Sequence, residues 1–214
     1  MERFYRRRLP HWEVDSAWYF VTFRLRGSIP RAVFEKWQIE IDERRGDLTR
    51  RYGSLSPQLD HSLIADQNRR VEQYLDSQIH IRYLEQATAA ETFIKNLERG
   101  SAKLYRLGPW VIMPNHVHLT VTSQRDEHGE PIPLARIIQH MKGASAIEIN
   151  RALGRSGALW QREYFDRIVR NMTDFRRLAR YIEGNPVKAG LCGIPEDWPW
   201  SSASRTLAGY ELPE

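Results

Sequence analysis

Cysteine is almost missing from these 214 residues: Cys192 stands alone. One thiol makes no intramolecular disulfide and no thiolate zinc site, which fits a reducing compartment. Lysine is nearly as scarce, with five lysines against 27 arginines among the 32 basic residues. No apolar run is long enough to cross a bilayer, and the stretch Met1 to Pro10 carries Arg6, Arg7 and Arg8 where a signal peptide would have an apolar core. Together these absences lead us to expect a cytosolic protein. Internal repeats and low-complexity tracts are also missing, so we expect one domain over 1–214 with a single core.

Arginine and aromatic residues are what the chain has in quantity. Its formal charge is +5, with seven Trp and nine Tyr. Guanidinium groups fork onto phosphates and stack on bases, so this composition suits a nucleic-acid binder, although a solvated basic surface has the same composition.

Hydrophobic periodicity divides the chain into a short list of elements. Ala17 to Arg26 reads as a strand, and Pro30 opens a helix with Phe34, Trp37 and Ile41 at helical spacing. Residues 42–85 are polar and Arg-rich, which makes them an inserted helical arm and loop. Thr88 with Glu91 has the spacing of a capping box at the head of a helix that Gly100 ends. Two strands follow, Lys103 to Met113 and Asn115 to Thr122, and then a helix from Pro133 with Gly143 as a soft point. Leu159 to Val169 reads as a fourth strand. Asn171 or Thr173 caps a last helix whose core stripe is Phe175, Leu178, Ala179 and Ile182, and Pro186 stops it. The residues from about 192 to 214 form a tail rich in Trp and Pro. Strand, helix, strand, strand, helix, strand, helix is the order of an α+β, ferredoxin-like split βαβ fold: a four-stranded antiparallel sheet with two helices on one face and one helix extra.

Within the third strand, His116 and His118 are two residues apart and therefore share a face. That is a metal-ligand geometry, and it is equally open to two structurally satisfied histidines. On the last helix Tyr181 and Asn185 are four apart, about 40° from each other and on the flank of the apolar stripe. Two imidazoles and an amide oxygen make a neutral, open ligand set suited to Mg²⁺ or Mn²⁺, with Mn²⁺ the tighter. A phenol attacks a phosphodiester whose oxygens a divalent cation polarises.

Four ordered motifs carry a resemblance that spans nearly the whole chain: Met113-Pro-Asn-His-Val-His118, Trp160-Gln-Arg-Glu-Tyr-Phe165, Tyr181 to Leu191 with Asn185-Pro-Val-Lys-Ala-Gly inside it, and Trp198-Pro-Trp-Ser-Ser202. The chain resembles the REP-associated tyrosine transposases, single-tyrosine HUH enzymes of the IS200-like superfamily. The resemblance implies a ferredoxin-like nuclease that cleaves single-stranded DNA near a hairpin. It makes Tyr181 the nucleophile on the extra, catalytic C-terminal helix, and His116, His118 and Asn185 the metal ligands. Relatives of this group look monomeric, each tyrosine serving its own metal site, so a monomer is favoured over a homodimer.

Several residues and readings remain beside this one. Tyr164 is a rival nucleophile or a core ring. Lys142 reaches a phosphate or merely solvent. Arg6, Arg7 and Arg8 form a phosphate-binding terminal arm or an unstructured end. Two other functions fit parts of the pattern: a histidine-triad-like nucleotide hydrolase, for which Thr120 replaces the third histidine, and a domesticated hairpin-DNA binder that no longer cuts. For the arm, neutralising Arg44, Arg45, Arg50 and Arg51 should weaken DNA binding and remove roughly 0.7 from the log–log salt slope on single strands for each phosphate that an arginine no longer neutralises. A slope unchanged by these substitutions returns the arm to a solvated surface.

Overall fold

A computed structural model describes residues 2–6, 10–77, 80–101, 103–205 and 207. They form two compact units, residues 27–81 and residues 1–26 with 82–214. Among the described residues no helix is long and apolar enough to cross a membrane.

The unit of residues 27–81 is a pair of long helices, α1 (Arg31–Tyr52) and α2 (Pro57–Ser77). Gly53, at φ 76°, ends α1 in the left-handed conformation that glycine adopts without strain. Little apolar surface holds the pair together. Ile41, Leu63, Ile64 and Leu75 are buried, Trp37 meets Tyr74 edge-on at 5.6 Å, and Arg45–Asp60 (2.8 Å) and Arg70–Glu40 (2.6 Å) tie the helices by charge. The polar stretch at 42–85 is thus helical as expected, but the unit begins at Gly27. The helix that Pro30 opens belongs to it, because that helix continues unbroken to Tyr52.

The larger unit carries a four-stranded antiparallel sheet in the order β4 (Tyr105–Ile112), β5 (His116–Ser123), β3 (Trp18–Arg24), β6 (Phe165–Ile168). β5 is central and buried along almost its whole length, which explains its apolar, β-branched composition. Helices α3 (Ala87–Ser101) and α4 (Leu134–Ala152) cover one face, where the rings of Phe23, Phe93 and Trp160 meet tilted or edge-on within 6 Å of one another. Helix α5 (Met172–Lys188) covers the opposite face. Its Leu178 and Ile182 pack with Phe20, Val111 and Met113, and Phe175 meets Trp18 at 5.2 Å. This is the ferredoxin-like α+β arrangement, with the extra helix alone on its own side of the sheet.

Several local expectations change. The chain ahead of β3 forms a hairpin of β1 (Glu2–Arg6) and β2 (Pro10–Val14), so Arg6 lies in a strand, while Arg7 and Arg8 lie outside the described residues. Thr88 and Glu91 make no capping box. Helix α3 starts a residue before Thr88, its Ala89 and Ala90 amides donate to the Gln86 carbonyl, and Glu91 is held by Arg205 at 2.9 and 3.0 Å. The fourth strand is four residues long, and Tyr164 sits just before it. The Lys142 ammonium takes the carbonyls of Gln161 (2.6 Å) and Arg162 (2.8 Å), turning that stretch away from a continuous ladder. Asn171 caps α5 by accepting from the Asp174 amide, but Pro186 does not stop the helix. The proline removes one N–H, and the turn survives because Ala189 donates to Asn185 and Leu191 to Pro186, both at 2.9 Å.

The tail closes the exposed edge of β4. The Trp198 indole donates to the Ile112 carbonyl, the Ile112 amide to the Trp200 carbonyl and the Ser202 amide to the Trp110 carbonyl, each at 2.9 Å. An edge paired in this way offers no template to another chain.

Two glycines should respond oppositely to alanine. At the β4 bulge, a Cβ on Gly108 would fall on the Thr120 hydroxyl and within 2.9 Å of the Trp18 ring, whereas one on Gly143 in α4 meets open space. Gly108→Ala should destabilise by about 1–3 kcal/mol through overpacking, and Gly143→Ala should stabilise by up to about 1 kcal/mol through helix propensity. Urea unfolding of both variants checks the pair of signs.

Candidate active site

β5 places His116 and His118 on the α5 face of the sheet, both fully buried. Burial of two imidazoles requires partners for four ring nitrogens, and three contacts supply them. His116 Nδ1 lies 2.6 Å from Asn115 Oδ1, His118 Nδ1 lies 2.7 Å from Thr22 Oγ1, and the two Nε2 atoms lie 3.0 Å apart. Since Asn115 Oδ1 only accepts, His116 carries its proton on Nδ1 and presents an Nε2 lone pair.

His118 has two arrangements. If the Thr22 hydroxyl donates to Nδ1, His118 Nε2–H donates to His116, and an unbroken hydrogen-bonded chain runs from Thr22 to Asn115. If Thr22 accepts, the proton sits on Nδ1 and both Nε2 lone pairs converge. Rotating one hydroxyl therefore exchanges a closed pair of histidines for an open pair of ligands. The spacing suits the second state, because cis ligands about 2.1 Å from an octahedral cation are separated by roughly 3.0 Å. Hydrogen bonds to the outer ring nitrogens are also what fixes ligand tautomers at metal centres.

Burial pushes the His116 pKa down to about 3, with the Lys188 charge adding to the effect. His118 is also held well below its ordinary value, by burial first, then by His116 and Lys188. Both rings are therefore neutral near pH 7, the form a metal needs.

Helix α5 brings its own residues to this face. The Tyr181 ring is 5.6 Å from His118 and 6.1 Å from Phe20, centre to centre, and Phe20 in turn stacks on His118 at 5.5 Å. Lys188 lies 5.9 Å from the centre of the Tyr181 ring. At 100° per residue, Asn185 and Lys188 sit about 40° and 20° to either side of Tyr181, so the three form one strip along the helix. Asn185, in the middle of the strip, is fully buried, and among the described residues neither its Oδ1 nor its Nδ2 has a hydrogen-bond partner. An amide left so costs stability unless something absent from the fold completes it. Among the described residues no three His, Cys, Asp or Glu side chains gather as a metal site, so a third protein ligand beside the imidazoles would be a neutral oxygen such as that of Asn185.

The remaining candidates lie elsewhere. Lys142 holds the 161–162 carbonyls, Tyr164 is buried ahead of β6, and the buried Thr120 hydroxyl donates to the Pro109 carbonyl at 3.4 Å. Arg44, Arg45, Arg50 and Arg51 all lie on α1. Arg45 is paired with Asp60 and Asp42, Arg50 with Asp47 at 2.5 Å, and Arg51 sits 5.5 Å from the Tyr52 ring. Sequence reasoning missed Thr22, Asn115 and Lys188. Asn115 was signalled by its place beside His116, and Lys188 by falling two turns after Tyr181; Thr22, 96 residues away from its partner, carried no signal.

The family model for transposases described as IS200 like matches residues 69–185, more than half of the chain. The chain belongs to the IS200-like transposase family. Two curated relatives bear the name REP-associated tyrosine transposase. One, from Haemophilus influenzae, is 30% identical over 108 residues, 48% of this chain and 61% of the relative. The other, from Escherichia coli, is 26% identical over 104 residues, 49% of this chain and 58% of the relative. The matches thus span about three-fifths of these relatives' lengths. A solved structure of a REP-associated tyrosine transposase bound to a REP hairpin shares the fold, with a TM-score of 0.54 at 16% identity over 98% of both chains. The stretch matched by the IS200-like family model contains His116, His118, Tyr181 and Asn185, and leaves out Thr22 and Lys188.

Because the folded pKa of His116 lies at about 3 against an ordinary 6.5, the unfolded chain binds more protons between these values. Stability fully present above pH 6.5 should therefore be lost as the pH falls toward 3. In metal-free protein, His116→Gln should make the acid slope of unfolding free energy shallower by up to about one proton, read by urea titrations at a series of pH values.

Proposed function

We propose that this chain cuts and rejoins single-stranded, hairpin-associated DNA through a 5′-phosphotyrosine on Tyr181, with Mg²⁺ or Mn²⁺ held by His116, His118 and Asn185. The observation that carries the reading is the packing of the Tyr181 ring on His118 beside the buried, unpartnered Asn185 amide. A divalent cation held there would polarise the non-bridging oxygens of the scissile phosphate.

The chain's own residues do the rest. Thr22 and Asn115 fix the imidazoles, and Phe20 packs against both His118 and Tyr181, which themselves meet at 5.6 Å, to hold the phenol's ring in place. Tyr181 Oη bonds to phosphorus as the bond from phosphorus to the 3′ oxygen breaks. The phenolic proton leaves to solvent, and the 3′ oxygen takes one from solvent. One phosphodiester replaces another, so the reverse reaction rejoins the strands without a nucleotide cofactor. Tyr181 meets the His118 of its own chain, which suits a monomer acting in cis. The hairpin preference is carried over from the structural relative solved with a REP hairpin. The closed tautomer of the histidine pair, complete without a metal, favours a second reading in which the chain binds hairpins and no longer cuts.

Tyr181→Phe keeps the ring and deletes only the reacting oxygen. It should bind single-stranded hairpin DNA and melt like the wild type, yet form no covalent adduct on a denaturing gel. His116→Ala and His118→Ala should each abolish Mg²⁺- or Mn²⁺-dependent nicking with the fold intact. An adduct that persists in Tyr181→Phe and vanishes in Tyr164→Phe moves the nucleophile to Tyr164. Cutting without any adduct points to water as the nucleophile, and binding with no cutting at all supports the second reading.

A further inference from the structure

Lys188 lies outside the stretch matched by the family model, and it meets the site beside Tyr181. Its Nζ is 5.9 Å from the centre of the Tyr181 ring, and that ring packs on His118 at 5.6 Å. It is exposed, whereas His116, His118 and Asn185 are fully buried, so of these residues it is the one whose charge a substrate in solvent meets first. Seven residues after Tyr181, it occupies the same strip of α5 one turn beyond Asn185.

We infer that Lys188 is a further catalytic residue, contacting a non-bridging oxygen of the scissile phosphate at the entrance to the site. The role rests on the proposed phosphotyrosine chemistry of Tyr181. Lysine is a strongly hydrated point charge on a flexible stem, suited to following a phosphate as it moves from one ester bond to another. During attack, negative charge spreads over the phenol oxygen, the equatorial phosphoryl oxygens and the departing 3′ oxygen. A cation that stays beside the tyrosine opposes that charge more strongly as it builds, which is the condition for raising the rate of the step and not merely the affinity. Lys188 exchanges no proton in the step, and the phenolic proton still leaves to solvent.

The same charge acts in the opposite sense on the metal. An ammonium placed beside the tyrosine that packs on His118 repels a divalent cation bound there, so its removal should leave metal binding intact or tighten it while slowing the chemistry. Replacing a lysine that only packs α5 would weaken both together.

The test is a single-turnover measurement of adduct formation with a strand-end-labelled hairpin oligonucleotide at saturating Mn²⁺, alongside Mn²⁺ titration of the DNA-free protein by calorimetry. Lys188→Met should slow adduct formation by about 10²-fold or more at saturating DNA, with Mn²⁺ affinity equal to or tighter than wild type. Lys188→Arg, which keeps the charge, should recover most of the rate. Adduct formation by Lys188→Met at the wild-type rate overturns the role, as does loss of Mn²⁺ binding together with activity. A defect that disappears at saturating DNA also overturns it, reducing Lys188 to an affinity contact. If the wild type forms no adduct, what fails is the reading of Tyr181 itself, an outcome distinct from a lysine that makes no difference.

Discussion

Two imidazoles buried side by side on one face of the central strand are the constraint that the rest of the larger unit satisfies. Their ring nitrogens cannot reach water, so the fold must supply groups at set distances: a hydroxyl from β3, an amide oxygen from the turn between β4 and β5, and each other. A slip of one residue in the β3–β5 register would turn Thr22 to the wrong face and leave His118 unpaired. The register that buries Val21 and Phe23 against α3 and α4 is the one that completes the site on the other side. Core packing and site geometry thus enforce each other through a single sheet.

The opposite face explains the care taken with α5 and the tail. Among the described residues one helix covers that face, and it carries Tyr181, Asn185 and Lys188 along one strip. Its position depends on Leu178 and Ile182 against Phe20 and Val111, and on Trp198 packed into the same cluster. The tail then stitches itself along β4, and Ser202 donates to Glu183 of α5 at 2.6 Å. The Trp198 to Ser202 motif therefore serves the site from a distance, by holding the helix that bears the tyrosine. Continuation of α5 through Pro186 serves the same end, because a helix that stopped there would leave Asn185 on a fraying end and Lys188 in no defined place.

Charge is organised differently in the two units. On α1 and α2 many guanidinium groups are already matched by carboxylates one turn away or on the facing helix, which lowers the net field that a nucleic acid would meet there. In the larger unit the residues gathered at the site are neutral imidazoles, a phenol and an amide, with a lysine beside the tyrosine. A site of that kind favours a polyanionic substrate and relies on the substrate's own oxygens to complete a cation's shell.

Much of this was legible in the residues because it depends on local spacing. The two-residue step from His116 to His118 sets their common face, and the four-residue step from Tyr181 to Asn185 sets their common flank. The alternation and helical stripes located the sheet, α3, α4 and α5. Two local rules failed because a distant partner overrode them: Arg205 took Glu91 from its capping box, and Lys142 drew the 161–162 carbonyls out of the fourth strand. A third failed locally, where the bonds from Ala189 and Leu191 carried α5 past Pro186. The hairpin at residues 2–14 escaped notice because arginines mask its alternation. Spacing along the chain determines which side chains share a face. It carries no information on which faces meet, so the pairing of Thr22 with His118, the approach of Tyr181 to that ring and the burial of Asn185 were decided only by the packing of β3 and α5 against β5, contacts between residues far apart in sequence whose energies depend on the whole core.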